Sequence, residues 1–185
     1  MTEYRKSEME NWRKSDQFLM PQKKVNPEVQ GKYSLYPATK IEDGKITDGF
    51  ETLAQEIANK KQIIIDGYIG VFFEDFKEKL NAEFNKLGKK VAWQSADEAL
   101  KPESEINELI APYLGGNDPI FGSRTTLNLI DFYQSEKLQK IKPDEKADIN
   151  IVYGIGAGLT NIQGTLIYID LPKNEIQFRA RAKSI

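Results

Sequence analysis

The chain is predicted to be an α/β protein, a three-layer α/β/α sandwich with a mainly parallel sheet. Three observations lead there. Ile63-Ile64-Ile65-Asp66 is a continuous β-branched run of the kind found in strands buried on both faces. Gly67 and Gly70 follow, and beyond them Phe73, Phe76, Leu80, Phe84 and Leu87 recur at spacings of three and four, which places five large apolar groups on one helix face. Strand-like and helix-like stretches then alternate to residue 185, the pattern from which parallel sheets are built.

Taken in order, residues 1–24 mix charge with Trp12, Phe18 and Leu19 and suit a short amphipathic helix, while Pro27, Gly31, Pro37 and Gly44 make residues 25–45 an extended segment. Residues 1–46 are therefore read as an N-terminal arm and residues 47–185 as the α/β domain. Asp48 and Glu51 are spaced like a capping box, and Phe50, Leu53, Ala54, Ile57 and Ala58 predict a helix to about Asn59. After the strand at Ile63–Asp66, the helix from Phe73 ends where Gly88 supplies a C-terminal cap. A strand from Lys90 to Gln94 closes a βαβ unit, for which a right-handed crossover is expected.

Pro102 opens a helix carrying Ile106, Leu109, Ile110 and Tyr113, and residues 115–124 form a loop dense in turn formers that includes Asp118. Leu127–Phe132 and Ser135–Ile141 are predicted as short helices, with a turn at Pro143-Asp144. Strands follow at Asp148–Tyr153 and Thr165–Asp170. Asn174 and Gln177 have the spacing of an N-cap and its partner for a last helix, Glu175 to about Lys183.

Composition then narrows the chemistry. The 185 residues suit one domain with a sizeable core. They include no histidine and no cysteine, which removes Ser-His-Asp and Cys-His catalysis, disulfides, and metal sites built on imidazole or thiolate. Carboxylate, lysine, tyrosine, hydroxyl and backbone chemistry remain. With 26 Lys+Arg against 28 Asp+Glu there is no basic surplus to attract nucleic acid or an anionic membrane. The longest apolar run is far too short to span a bilayer, and Arg5, Glu8, Arg13 and Asp16 interrupt any signal-peptide core, so a cytoplasmic location is expected.

The turn Asp66-Gly67-Tyr68-Ile69-Gly70 stands where parallel sheets usually cradle phosphate, between the first strand and a helix. Laying the phosphate-loop pattern from Gly67 puts Phe72 at the second glycine, Phe73 at the lysine and Glu74 at the metal-holding hydroxyl. None of the three can do that work. Gly154-Ile155-Gly156-Ala157-Gly158 superficially suggests a dinucleotide fingerprint, yet it leads to a strand instead of a helix N-terminus. Arg179 and Arg181 lie two apart on the last helix and point to different faces; with Arg124 they are the cations best placed for an anion, although a solvated role is the plainer one. Asp66, Asp118 and Asp170 fall near strand ends or in a loop, where a parallel sheet places its ligands, although an aspartate there is as often a helix cap or turn former.

Two stretches carry a resemblance. Gln62 to Val71 with its aromatic-rich helix, and Ile151 to Gly154 with Leu166 to Arg181, resemble the opening strand and turn, the later strands and the arginine-bearing lid helix of uridine-kinase-like P-loop kinases. IDGYIGVFFEDF at 65–76, EALKPESEINELIAPYLGGNDPIFG at 98–122 and YIDLPKNEIQFRARA at 168–182 are similar to the N-terminal region of long bacterial class I mannose-6-phosphate isomerase-like proteins. That resemblance implies isomerase activity in a separate cupin domain, with zinc on histidine and carboxylate ligands. A chain without histidine inherits none of that site, so no zinc and no firm cofactor are expected here. The last helix runs almost to Ile185, as expected of a kinase-like domain excerpted from a longer protein or standing alone.

Three functions follow from these expectations. In the first, the domain is a non-catalytic kinase-like module that binds a nucleotide or sugar phosphate, through Gly67, Tyr68, Gly70, Arg124, Arg179 and Arg181, or docks a cupin partner. The second is a phosphotransferase with Asp66 or Asp97 as base or metal ligand and the same arginines on the phosphoryl group. A third is a sugar-phosphate isomerase, suggested by the family name alone. The first is preferred, because the turn offers Asp66, Glu74 and Asp75 to a phosphate and no lysine before Lys77.

Overall fold

The structure is a computed structural model that describes residues 40–117 and 122–185. Expectations for residues 1–39, and for Asp118 in the glycine-rich loop, lie outside the described residues. The chain runs through helix α1 (Phe50–Ile57), strand β1 (Gln62–Gly67), helix α2 (Phe73–Lys86), strand β2 (Val91–Ser95), helix α3 (Glu103–Ile110), helix α4 (Ser135–Lys140), strands β3 (Ile149–Tyr153) and β4 (Thr165–Ile169), and helix α5 (Lys173–Arg181). Short 3₁₀ turns at Ala96–Ala99, Ala111–Tyr113, Leu129–Phe132 and Ala157–Leu159 interrupt the links.

The four strands form an all-parallel sheet in the order β2-β3-β1-β4, with Ile65 opposite both Tyr153 and Ile167. Side chains alternate across a strand, and both faces of β1 are apolar, so both need a cover. On one face Ala54 and Ile57 of α1 and Leu80 and Phe84 of α2 pack on Ile63, Ile65, Ile149, Ile151 and Tyr153. Burying each large side chain of this kind is worth about 1.5–3 kcal/mol. On the other face Ile64 and Val152 meet Ala96, Ala157 and Ile162, and a further cluster of Ala99, Tyr133 and Leu138 extends this cover outward. The α2 crossover and the two later crossovers use opposite faces and run in opposite directions across the sheet, so all three share one hand, as parallel connections do.

That second cover stops at β1. Leu166 and Tyr168, which alternate with the core residues of the edge strand β4, are 60% and 57% exposed.

Three local expectations are corrected. The first helix starts at Phe50 behind Gly49 and has no side-chain cap, so Asp48 and Glu51 form no capping box. The segment Leu127–Phe132 makes only a 3₁₀ turn, because Leu129 and Ile130 stay exposed and bring no buried helical face with them. The last helix begins at Lys173 behind Pro172, whose carbonyl accepts from the Glu175 and Ile176 amides; Asn174 instead accepts from the neighbouring Glu175 amide.

Candidate functional site

The carboxyl ends of the strands meet where the links after β1 and β3 leave on opposite faces. In parallel sheets that divergence opens the ligand crevice. Asp66 sits there on β1. Its Oδ1 accepts from the backbone amides of Gly67 at 2.7 Å and Gly156 at 3.0 Å, and its Oδ2 accepts from the Gly158 amide at 2.9 Å. Successive amides aimed at one point form a concavity that suits an anion. Here the protein's own carboxylate fills it. Gly156 adopts φ +75°, and a Cβ there would fall 2.9 Å from the Tyr133 hydroxyl, so only glycine lets this loop close over Asp66 beneath Tyr133.

The turn after β1 is equally committed. The Tyr68 amide donates to the Ile169 carbonyl at 2.9 Å and the Val71 amide to the Tyr68 carbonyl at 3.3 Å. A Cβ at Gly67 would meet the Ile169 carbonyl oxygen at 2.8 Å, which records how tightly this turn lies on β4. The Phe73 ring joins the core beside α1 and α2. The Phe72 ring lies under the guanidinium of Arg179, 4.1 Å from its carbon to the ring centre.

Arg179 is no solvated helix charge. It donates to the Gly70 carbonyl and to Glu175 Oε1 at 3.3 Å, and the side chains of Arg179 and Glu175 are only 12% and 6% exposed. The arginine ties α5 to the turn after β1. Arg181 is exposed near the end of the same helix, and Arg124 is exposed on the segment after Gly122.

Above these anchors opens a cavity of about 490 Å³, lined by Asp66, Gly67, Tyr68, Ile69, Asp97, Leu100, Leu129, Phe132, Tyr133, Ile155 and Tyr168. No lysine or arginine is among these lining residues. Its far wall is fixed by backbone pairing: the Lys101 amide donates to the Phe132 carbonyl at 3.0 Å and the Gln134 amide to the Ala99 carbonyl at 2.8 Å. The Tyr133 hydroxyl donates to the Ile155 carbonyl, and its pKa is pushed up to about 12 by burial, then by the negative charges of Asp97 and Asp66. It therefore remains a neutral phenol across the physiological range.

Asp97 caps the rim. The Ser95 hydroxyl accepts from its backbone amide at 3.2 Å and sets its position, while no hydrogen bond among the described residues reaches its carboxylate. Asp97 is exposed as a residue, yet partial burial of its carboxyl, followed by repulsion from Glu74, raises its pKa above the ordinary value. Glu74 itself is held below that range, first by the Tyr153 hydroxyl, which donates to it at 2.6 Å, and then by Lys77. Lys77 donates to the Tyr153 oxygen at 2.9 Å and to Glu74 at 3.1 Å, and these contacts raise its pKa. The lysine nearest the turn is thus engaged one turn into α2.

Of the residues singled out from the sequence, Asp66, Gly67, Tyr68 and Asp97 come together at one cavity, Gly70 and Arg179 serve the turn behind it, and Arg124 and Arg181 stand on the surface. Tyr133, Phe132, Leu129 and Tyr168 escaped notice. The periodicity around Tyr133 pointed to two helices, and nothing local shows that a bridge between Leu100 and Tyr133 turns this residue into the crevice. Among the described residues no group of three or more histidine, cysteine, aspartate or glutamate side chains is placed to hold a metal, and no helix is long and apolar enough to cross a membrane.

Residues 49–185 match a family described as "Domain of unknown function (DUF8485)". No curated protein and no solved structure matches the chain.

Proposed function

The chain belongs to the DUF8485 family, and from its crevice we propose a non-catalytic binding domain on a P-loop-kinase-like α/β fold, one that receives a small molecule without transferring phosphate. One observation carries the reading: the Asp66 carboxylate occupies the amide concavity of Gly67, Gly156 and Gly158, where a nucleotide phosphate would have to lie. Expelling it would take a half-buried carboxylate away from its three donors, and a hydrogen bond to a charged group is worth roughly 1.5–3 kcal/mol. The remaining groups agree. Phe73 stands in the core at the place of a phosphate-holding lysine, Lys77 is held by Glu74 and Tyr153, and Arg179 is held by Glu175 and the Gly70 carbonyl. Phosphoryl transfer relies on cations that neutralise the moving group, and the crevice presents Asp66 and Asp97 instead.

Calorimetric titration with ATP·Mg tests this reading. No heat of binding is expected up to about millimolar nucleotide, roughly the weakest affinity worth counting for a nucleotide site. Saturable binding below that concentration, lost in Arg124→Ala or Arg181→Ala, would point to a working phosphotransferase site.

A further inference from the structure

We propose that the crevice is a site for a small organic cation with a flat ring, its charge set against Asp97 and its ring among Tyr68, Phe132 and Tyr168. This inference rests on the reading of the domain as a binding module that turns phosphate away, and it names the class of ligand.

The cavity size comes first. About 490 Å³ lies within the range of small-molecule sites, which are mostly apolar with a few convergent polar groups. Its lining fits that description: Ile69, Leu100, Leu129 and Ile155 supply aliphatic wall, and Tyr68, Phe132, Tyr133 and Tyr168 supply ring faces and edges. Aromatic walls attract a cation through the negative face of the ring.

The polar groups fix the sign of the charge. The two ionisable carboxylates in the lining are unequal. Asp66 is bound by three backbone amides and cannot turn to a ligand without releasing the loop. Asp97 is the one whose carboxylate is left open, beside Gly154 at the rim, where a Cβ on that glycine would lie 3.3 Å from Asp97 Oδ1. The Tyr133 hydroxyl spends its proton on the Ile155 carbonyl and so offers a ligand only its oxygen, again an acceptor. A crevice whose side chains present acceptors and negative charge, with no basic residue among its described lining, favours a ligand that brings donors and positive charge.

The test uses three indoles on the full chain: tryptamine, with an ammonium; tryptophol, with a hydroxyl in its place; and indolepropionate, with a carboxylate. Titrations are followed by calorimetry in low salt, with Asp97→Asn and Leu129→Arg as variants. Asp97→Asn removes a carboxylate that no hydrogen bond reaches among the described residues and keeps the shape, so it should fold; Leu129→Arg adds a cation at an exposed position of the wall. The expected order is tryptamine over tryptophol by at least about tenfold, or ~1.4 kcal/mol, and tryptophol over indolepropionate. Asp97→Asn should bring tryptamine down to the tryptophol affinity, and Leu129→Arg should abolish tryptamine binding. Equal binding of tryptamine and tryptophol, no change in Asp97→Asn, or no binding of any indole would overturn the cation site while leaving the phosphate-excluding reading intact. Indolepropionate binding tightest would overturn both.

Discussion

Asp66 and Asp97 lie at the same strand ends, and their surroundings give them opposite tasks. Asp66, a candidate base in the sequence, accepts three backbone amides that hold its carboxylate in place. Asp97 receives no such help, and its carboxyl is raised by burial and by Glu74. A raised carboxylate pKa in the fold means that the native state binds the proton more tightly than the unfolded chain. Stability contributed by Asp97 is therefore greatest when it is protonated and falls as pH rises from the ordinary carboxylate range through the raised value. Asp97→Asn should accordingly raise the melting temperature at pH 7, with a gain that shrinks to nothing as the pH is lowered below about 4. A melting series against pH reads this directly; a loss of stability at pH 7 would mean that the carboxylate has a stabilising partner.

At the scale of elements, the strand β1 and the helix α2 were legible because their signals are local: a β-branched run, and apolar residues three and four apart ending at Gly88. The site was only half legible. The run of glycines at 154–158 could be seen, but its partner Asp66 lies 90 and 92 residues from the two amides it binds, and no spacing rule reaches that far. The same holds for α5, where Arg179 finds the Gly70 carbonyl 109 residues away. A helix charge that looked solvated is instead the fastener between α5 and the turn after β1. Removing it should be costly, because the Glu175 ion pair, the hydrogen bond to the Gly70 carbonyl and the stack on Phe72 are lost together. Arg179→Ala is expected to destabilise the domain by about 3 kcal/mol or more, and Arg179→Lys by less, since lysine keeps the charge and loses the flat stack on Phe72. The midpoint of urea unfolding measures both; a change under about 0.5 kcal/mol in Arg179→Ala would show that α5 is held by packing alone.

For the molecule as a whole, a four-stranded parallel sheet with helices places its crevice where the links after β1 and β3 diverge, as open α/β sheets do. The architecture supplies the place, and side chains decide what can enter it. With 26 basic and 28 acidic residues the chain has no general basic surplus to draw an anion, and none of Arg124, Arg179 and Arg181 lines the cavity while Asp66 and Asp97 do. The absence of histidine, which first served to exclude zinc and triad chemistry, leaves the crevice with tyrosine and carboxylate as its polar groups. The central claim is that the amide concavity at Gly156 and Gly158 is already filled from within. Amide NMR of the folded chain tests it most directly: on adding ATP·Mg to millimolar concentration, the Gly67, Gly156 and Gly158 resonances should stay where they are. A saturable shift confined to those three amides would show nucleotide displacing Asp66 and would contradict the account.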